Sequence, residues 1–420
     1  MLLIYRYLIN IFFPIIIILI FIRTKFNKED KFRFKEKLFS SSFNVIRHKN
    51  KKLIWFHAAS IGELMSIIPL IRKLNKDNKF QFLITTITLS SEKLINKHFS
   101  GEKNIIHRFF PIDKPSLITK FLSKWSPNLI VFVDSEIWPN FLLEINKKKI
   151  PLILLNARIT KKSFLRWNSI TKIAEKVFKT FDLCIPSSEE SKKYLEKLKV
   201  KKIKYFGNLK LTSENNQNTN SNKISFHKKF WCAVSIHKEE DGLCVQTHLL
   251  IKKNHKDIIT VIIPRHIDRA KNIKALCDSL NLKSQIVSER DAIKDGSEVI
   301  IVNSYGVISN YLKNCKSVFI GKSLIKKLEK VGGQNPIEAA KLGCKIYHGP
   351  YVYNFTEIYE LFNKYKIAEK ILNENELAQK LNIDLNEPTK IKGDNLKIIN
   401  DLGKKILDDT FNELNKFIGK

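Results

Sequence analysis

LIWFHAASIGELMSIIPLIRKL, residues 53–74, contains one complete strand-to-helix step. It opens with an apolar run of strand length, after which Ile61, Leu64, Met65, Ile68 and Ile71 recur at helical spacing and form one apolar face. A buried strand, a short polar loop and an amphipathic helix make one β-α step of a parallel sheet. The step repeats outward along the chain. FQFLITTIT (80–88), LIVFVD (129–134) and LILLNA (152–157) are further strand-like runs separated by helical patterns. The rhythm returns after residue 229 as FWCAVS (230–235), IITVIIP (258–264), EVIIV (298–302), SVFIG (317–321) and KIYHG (345–349). Two successive doubly wound α/β domains are expected, with chemistry in the loops at the carboxyl ends of their strands and a cleft between them.

The expected boundaries follow from changes in pattern. Residues 1–24 are an apolar anchor and 25–210 the first Rossmann-like domain. Residues 211–228, rich in Asn, Ser and Thr without hydrophobic periodicity, read as a linker. Residues 229–393 form the second domain. A helix over 394–420 closes the chain, with Leu396, Ile399, Leu402, Ile406, Phe411, Leu414 and Phe417 on a common side.

YLINIFFPIIIILIFI, residues 7–22, carries no charge and, with residues 1–6, approaches the ~20 residues of a membrane-spanning helix. Arg23, Lys25, Lys28, Lys31, Arg33, Lys35 and Lys37 follow it, against Arg6 alone before it. By the positive-inside rule the expectation is a single-pass transmembrane helix in the inner (cytoplasmic) membrane, its N-terminus outward and the catalytic domains cytoplasmic. A cleaved signal peptide is the rival, opposed by the basic stretch and by the lack of a small-x-small cleavage site.

Lys and Arg number 74 against 41 Asp and Glu, a formal net charge of +33. No zinc-finger spacing or aromatic RNA-binding strand accompanies the charge and the lysines are scattered, so nucleic acid is not the expected partner. Anionic lipid at the membrane surface is the simpler one. The 6 cysteines, at 184, 232, 244, 277, 315 and 344, form no C-x-x-C pair and read as reduced core residues. No His/Cys cluster has metal-ligand spacing, so neither a metal nor another cofactor is expected.

Six loops carry the candidate chemistry. Ser60 and Glu63 fit a capping box at the start of the first helix, and Glu63 also fits a general base at the cleft. The helix N-terminus lowers its pKa while burial raises it, and sequence leaves that conflict open. LIVFVDSEIWPN puts Asp134 and Glu136 at a second strand end; Asp134 reads as structural, and Glu136 as either a first-turn acid or a functional one. SIHKEED (235–241) follows a strand and opens a helix, so its amides, Ser235 and His237 suit a phosphate. Arg265 and His266 end IIPRH (262–266), where a cation serves an anionic ligand or merely sits in an exposed loop. In VGGQNPIEAA (331–340) Gly332 and Gly333 allow a tight turn, Asn335 suits N-cap, Pro336 N1 and Glu338 N3, which is an anion site or only a cap. HGPYVYNF (348–355) adds Asn354. No Walker A lysine motif and no G-x-G-x-x-G occurs, which points to a nucleotide-sugar enzyme rather than an NTPase or oxidoreductase.

In order and spacing, FRFKEKLF, HAASIGEL, DSEIWPN, NARITKKS, GNLKL, SIHKEED, PRHIDRA, VGGQNPIEAA and GPYVYNF resemble the lipid A Kdo transferases. These are membrane-anchored enzymes that move 3-deoxy-D-manno-octulosonic acid (Kdo) from CMP-Kdo to a lipid A precursor such as lipid IVA. The resemblance implies a GT-B glycosyltransferase architecture, inversion at the anomeric carbon and no catalytic metal. It implies Glu63 as general base and Glu136 as a second important acid. Ser235, His237, Arg265, His266, Gly332, Gly333, Asn335, Glu338 and Asn354 match the region that holds CMP-Kdo. The sequence departs from the pattern at Ile236, Glu239, Val307, Lys322 and Gln334, with Glu239 and Lys322 each standing where a glycine is usual. A transferase using another nucleotide sugar and a non-catalytic membrane-bound lipid-binding protein are the alternatives. The first is separated by donor screening, the second by release of CMP.

Overall fold

A computed structural model describes residues 2–48, 50–213, 226, 228–288, 291–386 and 391–419. Two units emerge, one of Met1–Glu214 with Gly403–Lys420 and one of Asn215–Leu402. In the first, β1 (Lys52–His57), β2 (Phe80–Thr86), β3 (Ile105–Phe109), β4 (Leu129–Val133), β5 (Leu152–Ala157) and β6 (Leu183–Pro186) form a parallel sheet of order β3-β2-β1-β4-β5-β6. Helices connect the strands, as parallel pairing demands.

The aromatic residues of the sequence explain where this sheet's core sits. Trp55, fully buried, packs its ring 5.0 Å from Phe121, 5.6 Å from Phe132 and 5.8 Å from Phe141. Its indole N–H donates to Thr85 Oγ1 at 2.8 Å, so nothing polar is left unpaired on the ring. Truncation of such a residue to alanine costs about 3–5 kcal/mol. Two positions along the same strand face, His57 stacks on Phe110 at 3.6 Å. The core thus runs up to the sheet's carboxyl edge and fixes what stands there.

In the second unit β7 (Phe230–Ile236), β8 (Ile259–Pro264), β9 (Ser284–Val287), β10 (Val299–Val302), β11 (Ser317–Ile320), β12 (Lys345–His348) and β13 (Ala368–Lys370) form a parallel sheet of order β13-β12-β11-β7-β8-β10-β9. Trp231, Ile262, Phe319 and Tyr347 are core residues of this sheet. All 6 cysteines are buried thiols outside any disulfide, and those of Cys315 and Cys344 donate to backbone carbonyls.

Most of the segment read as a linker, 211–228, lies outside the described residues. Its first two, Leu211 and Thr212, are buried in the 3₁₀ turn Leu209–Thr212, where Thr212 Oγ1 donates to Ser66 O at 3.2 Å. The last helix spans Ile391–Ile418, and from Gly403 onward it belongs to the first unit. There the buried Glu413 accepts Lys202 at 2.9 Å and Lys204 at 2.8 Å.

The N-terminal helix, Leu2–Lys25, is long and apolar enough to cross a membrane. Along it Leu2, Tyr5, Arg6, Ile9, Phe13, Ile16, Ile17, Ile20 and Thr24 are sheltered, while the residues between them are exposed. Ile20 joins Phe34 and Leu38 in a small apolar cluster that Phe13, Ile16 and Ile17 extend. Just beyond the helix, the buried Glu29 holds Arg23 at 3.0 Å and Lys37 at 2.6 Å.

Candidate functional site

In the first sheet the chain leaves β1 toward β2 and β3 on one side, and β4 toward β5 and β6 on the other. The carboxyl ends of β1 and β4 are therefore the topological switch point, where open α/β sheets bind ligands. Glu63, from the loop after β1, and Asp134 and Glu136, after β4, gather there.

Glu63 lies in the first turn of helix Ile61–Asn75, with Ser60 as N-cap accepting its backbone N–H at 3.3 Å. Its carboxylate reaches back, accepting Ala59 N–H at 2.7 Å and the Ser60 hydroxyl at 2.8 Å. The capping box is thus present, with Ala59 in place of the Ser60 amide as the second donor. Capping does not exhaust the residue. Burial raises its pKa, the Ser60 bond pulls it back, Asp134 adds to the rise, Ala59 opposes it and Glu136 adds again, leaving it at about 7. Between burial and the helix N-terminus, burial wins. A carboxylate at about 7 is suited to general base work near neutrality.

Glu136 goes the other way. Burial raises its pKa, but the hydrogen bond and charge of His57 and the indole N–H of Trp138 outweigh burial and hold it below the usual carboxylate range. His57 Nε2 lies 3.1 Å and Trp138 Nε1 2.7 Å from Glu136 Oε2. An ionised carboxylate only accepts, so both rings donate to it. His57 Nδ1 then faces the Thr85 hydroxyl at 3.0 Å, the group that also takes the Trp55 N–H. The two acids are therefore held apart in acidity by their surroundings, the pattern that separates acid and base roles.

Asp134 takes a left-handed φ of 63°. Its Oδ2 accepts Lys210 Nζ at 3.1 Å, and its carbonyl accepts Arg158 N–H at 3.1 Å. Buried and paired, it joins the segments NARITKKS and GNLKL to the loop after β4, and its charge acts on Glu63 from there.

In the second sheet the switch point falls between β7 and β11. Glu240, almost fully buried, ties their two loops together: its carboxylate accepts His237 N–H at 3.1 Å, Lys322 N–H at 2.6 Å, Ser323 N–H at 2.9 Å and Leu324 N–H at 3.1 Å. The loop amide of His237, read as open to a phosphate, is thus already engaged by an internal carboxylate. Ser235 sits where β7 slips register against β8, with a left-handed φ of 58°.

Cations cluster around this edge. The His237 and His266 rings are 5.9 Å apart. Burial, then Lys322, His266, Arg265 and Arg269, lower the His237 pKa to about 4. Arg269 pairs with Asp241, whereas the exposed Arg265 guanidinium has no protein partner among the described residues. Such a field suits an anionic ligand.

Gly332 and Gly333 form the expected turn. A Cβ on Gly332 would stand 2.3 Å from Tyr351 O, and Gly333 has a φ of 85°. Asn354 clamps that turn, its backbone N–H to Gly332 O at 3.0 Å and its Nδ2 to Val331 O at 2.6 Å, and Gly333 N–H reaches Lys322 O at 2.7 Å. Asn335 Oδ1 accepts Ile337 N–H at 3.1 Å, but the helix begins one residue later than expected, with Pro336 and not Asn335 at its N-cap position and Glu338 at N2. The following helix, Ile337–Lys341, has only 5 residues, so its dipole is slight, and Glu338 stands exposed on it. Among the described residues no group of three or more His, Cys, Asp or Glu is gathered to hold a metal ion.

His57 and Glu240, which were not among the sequence candidates, stand in these two clusters, and Lys322, noted only as a departure from the family pattern, joins the second. His57 ends an apolar run as its one polar residue, which was its signal; for Glu240 only the doubled acid before a helix hinted at a role.

Residues 32–213 match the family model for 3-deoxy-D-manno-octulosonic-acid transferase (kdotransferase). The chain is 31% identical to the 3-deoxy-D-manno-octulosonic acid transferase of Rickettsia bellii, over 98% of this chain and 99% of that one. It is 30% identical to a probable mitochondrial 3-deoxy-D-manno-octulosonic acid transferase of Arabidopsis thaliana, over 73% and 70%. Among solved structures, a glycosyltransferase from Rickettsia africae has a TM-score of 0.58 at 13% identity, covering 88% of this chain and 99% of that one. A putative UDP-N-acetylglucosamine 2-epimerase from Listeria monocytogenes has a TM-score of 0.57 at 12% identity, covering 87% and 97%. These neighbours share the GT-B-like fold of two Rossmann-like units.

Proposed function

The chain belongs to the 3-deoxy-D-manno-octulosonic-acid transferase family, glycosyltransferases of lipopolysaccharide biosynthesis, and on that premise we propose that it carries Kdo from CMP-Kdo to the lipid A precursor lipid IVA. The reaction inverts the anomeric centre, with Glu63 as general base, at the cytoplasmic face of an inner membrane to which the apolar helix binds. The observation that carries this reading is the near-neutral Glu63 beside the ionised Glu136 at a sheet switch point.

The chemistry follows from the donor. Departure of CMP builds positive charge at the anomeric carbon and negative charge on the phosphate. Arg265, with His266, Ser235 and His237 nearby, offers cationic and hydrogen-bonding partners to the phosphate. The turn of Gly332 and Gly333 with Asn335, Glu338 and Asn354 supports the nucleotide. Glu63, half ionised near neutral pH, takes the proton of the attacking sugar hydroxyl. Glu136 remains charged, sustaining Glu63's basicity and favouring positive charge in the transition state.

Incubation of the purified protein with CMP-Kdo and lipid IVA, followed by mass spectrometry of the lipid, tests the assignment. The expected product is heavier by whole Kdo residues, with CMP released in equal number. An unaltered lipid, or transfer only from another nucleotide sugar, refutes it.

A further inference from the structure

Both ends of the N-terminal helix are bonded to the same unit. At its start Tyr5 donates its hydroxyl to Asp113 Oδ2 at 2.7 Å, and Arg6 reaches Asn140 Oδ1 at 3.1 Å and Glu144 Oε1 at 3.0 Å. Asp113 is 2% exposed and also accepts Asn140 N–H at 3.2 Å and Phe141 N–H at 2.9 Å, so it is built into the body of the first unit. At the helix end Arg23 bonds Glu29, and between the two ends Lys114 Nζ sits 3.8 Å over the Phe13 ring.

Arg6 and Arg23 are separated by about 26 Å of helix, close to the ~30 Å of a bilayer's hydrocarbon. A helix crossing the membrane would carry Tyr5 and Arg6 to the far side. It would break their bonds and leave Asp113 buried with a partner lost, while Arg6 would enter or cross the apolar layer.

The other face of the helix is free and apolar. Ile4, Leu8, Ile11, Ile15 and Ile22 recur on it at helical spacing, all exposed. This surface continues beyond the helix through Phe26, 69% exposed, and Phe32, 84% exposed. Interleaved with those rings are Lys25, Lys28, Lys31 and Lys35, all exposed. Exposed rings alternating with lysines beside an apolar stripe match the acyl region and phosphate head groups of an anionic leaflet.

We propose that the helix lies along the cytoplasmic leaflet with its outer face in the lipid, and does not cross it, so that residue 2 and residue 28 are on the same side. This inference rests on the reading above that the chain is bound to a membrane.

Its test uses the full chain with an epitope tag on a flexible linker before Met1, expressed in a Gram-negative host. Cells are fractionated, and intact spheroplasts are treated with protease. The expected result is a protein that sediments with membranes and whose tag survives in spheroplasts but is digested once detergent opens them. A membrane-bound protein whose tag is removed in intact spheroplasts has a crossing helix, which overturns the inference and leaves membrane binding standing. A protein found in the soluble fraction overturns membrane binding itself, and the inference with it.

Discussion

His57 Nε2 lies 3.1 Å from Glu136 Oε2, the oxygen that also receives Trp138 Nε1–H at 2.7 Å. The His57 ring is pressed on Phe110 and its other nitrogen meets Thr85, so core packing fixes where the Glu136 charge stands. Replacing His57 by Phe keeps the stack but removes the donor. The expected outcome is a drop in kcat of about tenfold with little change in KM for the sugar donor, as for loss of other outer hydrogen bonds that orient a functional group. A donor KM that rises while kcat holds would place His57's influence elsewhere.

Glu136 carries the charge that helps raise Glu63, after burial and Asp134. In Glu136→Gln the Glu63 pKa falls below about 7, and the acidic limb of the pH-rate profile moves to lower pH. An unmoved limb means that the two carboxylates do not interact.

The same shift has a consequence for stability. Because Glu63's folded pKa is above its unfolded value of 4.5, its contribution is fully present below pH 4.5 and is lost as pH rises through about 7. Glu63→Gln, which cannot ionise but keeps an acceptor for Ala59, should therefore match the parent at pH 4 and exceed it at pH 8, by on the order of 1 kcal/mol. Thermal melts at the two pH values read this directly. A variant less stable than the parent at pH 8 contradicts the sign.

Lys322 holds a φ of 58° at a position where the resembling family usually has glycine. An L-residue there costs about 1 kcal/mol, so Lys322→Gly should leave the melting temperature unchanged or raised, although glycine's greater freedom when unfolded offsets part of the gain. Loss of the cation also lets the His237 pKa rise from about 4, visible by NMR titration, and weakens CMP binding several-fold. A fall of several degrees in melting temperature would mean that the Lys322 side chain supports the fold.

Central strands were legible in the sequence and edge strands were not. The runs at 53–58, 80–88, 129–134 and 152–157 became β1, β2, β4 and β5, whereas β3 and β6, the two edges, went unread. The second sheet repeats this, with β9 and β13 unread at its edges. A strand buried on both faces is a continuous apolar run, while an edge such as SQIV or AEK needs fewer apolar residues and gives a weaker signal.

Of the candidate site, the loops that follow readable strands were legible, and the structure brings Glu63, Asp134 and Glu136 of those loops together. What stayed hidden depends on contacts between segments distant in sequence. Glu240 acts on amides more than 80 positions away, and Asp134 is held by Lys210. The N-terminal helix shows the same limit: its hydropathy was plain, but the bonds of Tyr5 and Arg6 to residues beyond 110 were not.

On the proposed function Glu63 is the base of the transfer and not only a helix cap. The direct measurement sets Glu63→Gln beside the parent protein, with CMP-Kdo binding followed by calorimetry and Kdo transfer to lipid IVA by mass spectrometry at pH 7. Unchanged donor affinity and a loss of transfer of at least about 100-fold are expected. Transfer within a few-fold of the parent, in a variant that binds the donor normally, would contradict that role.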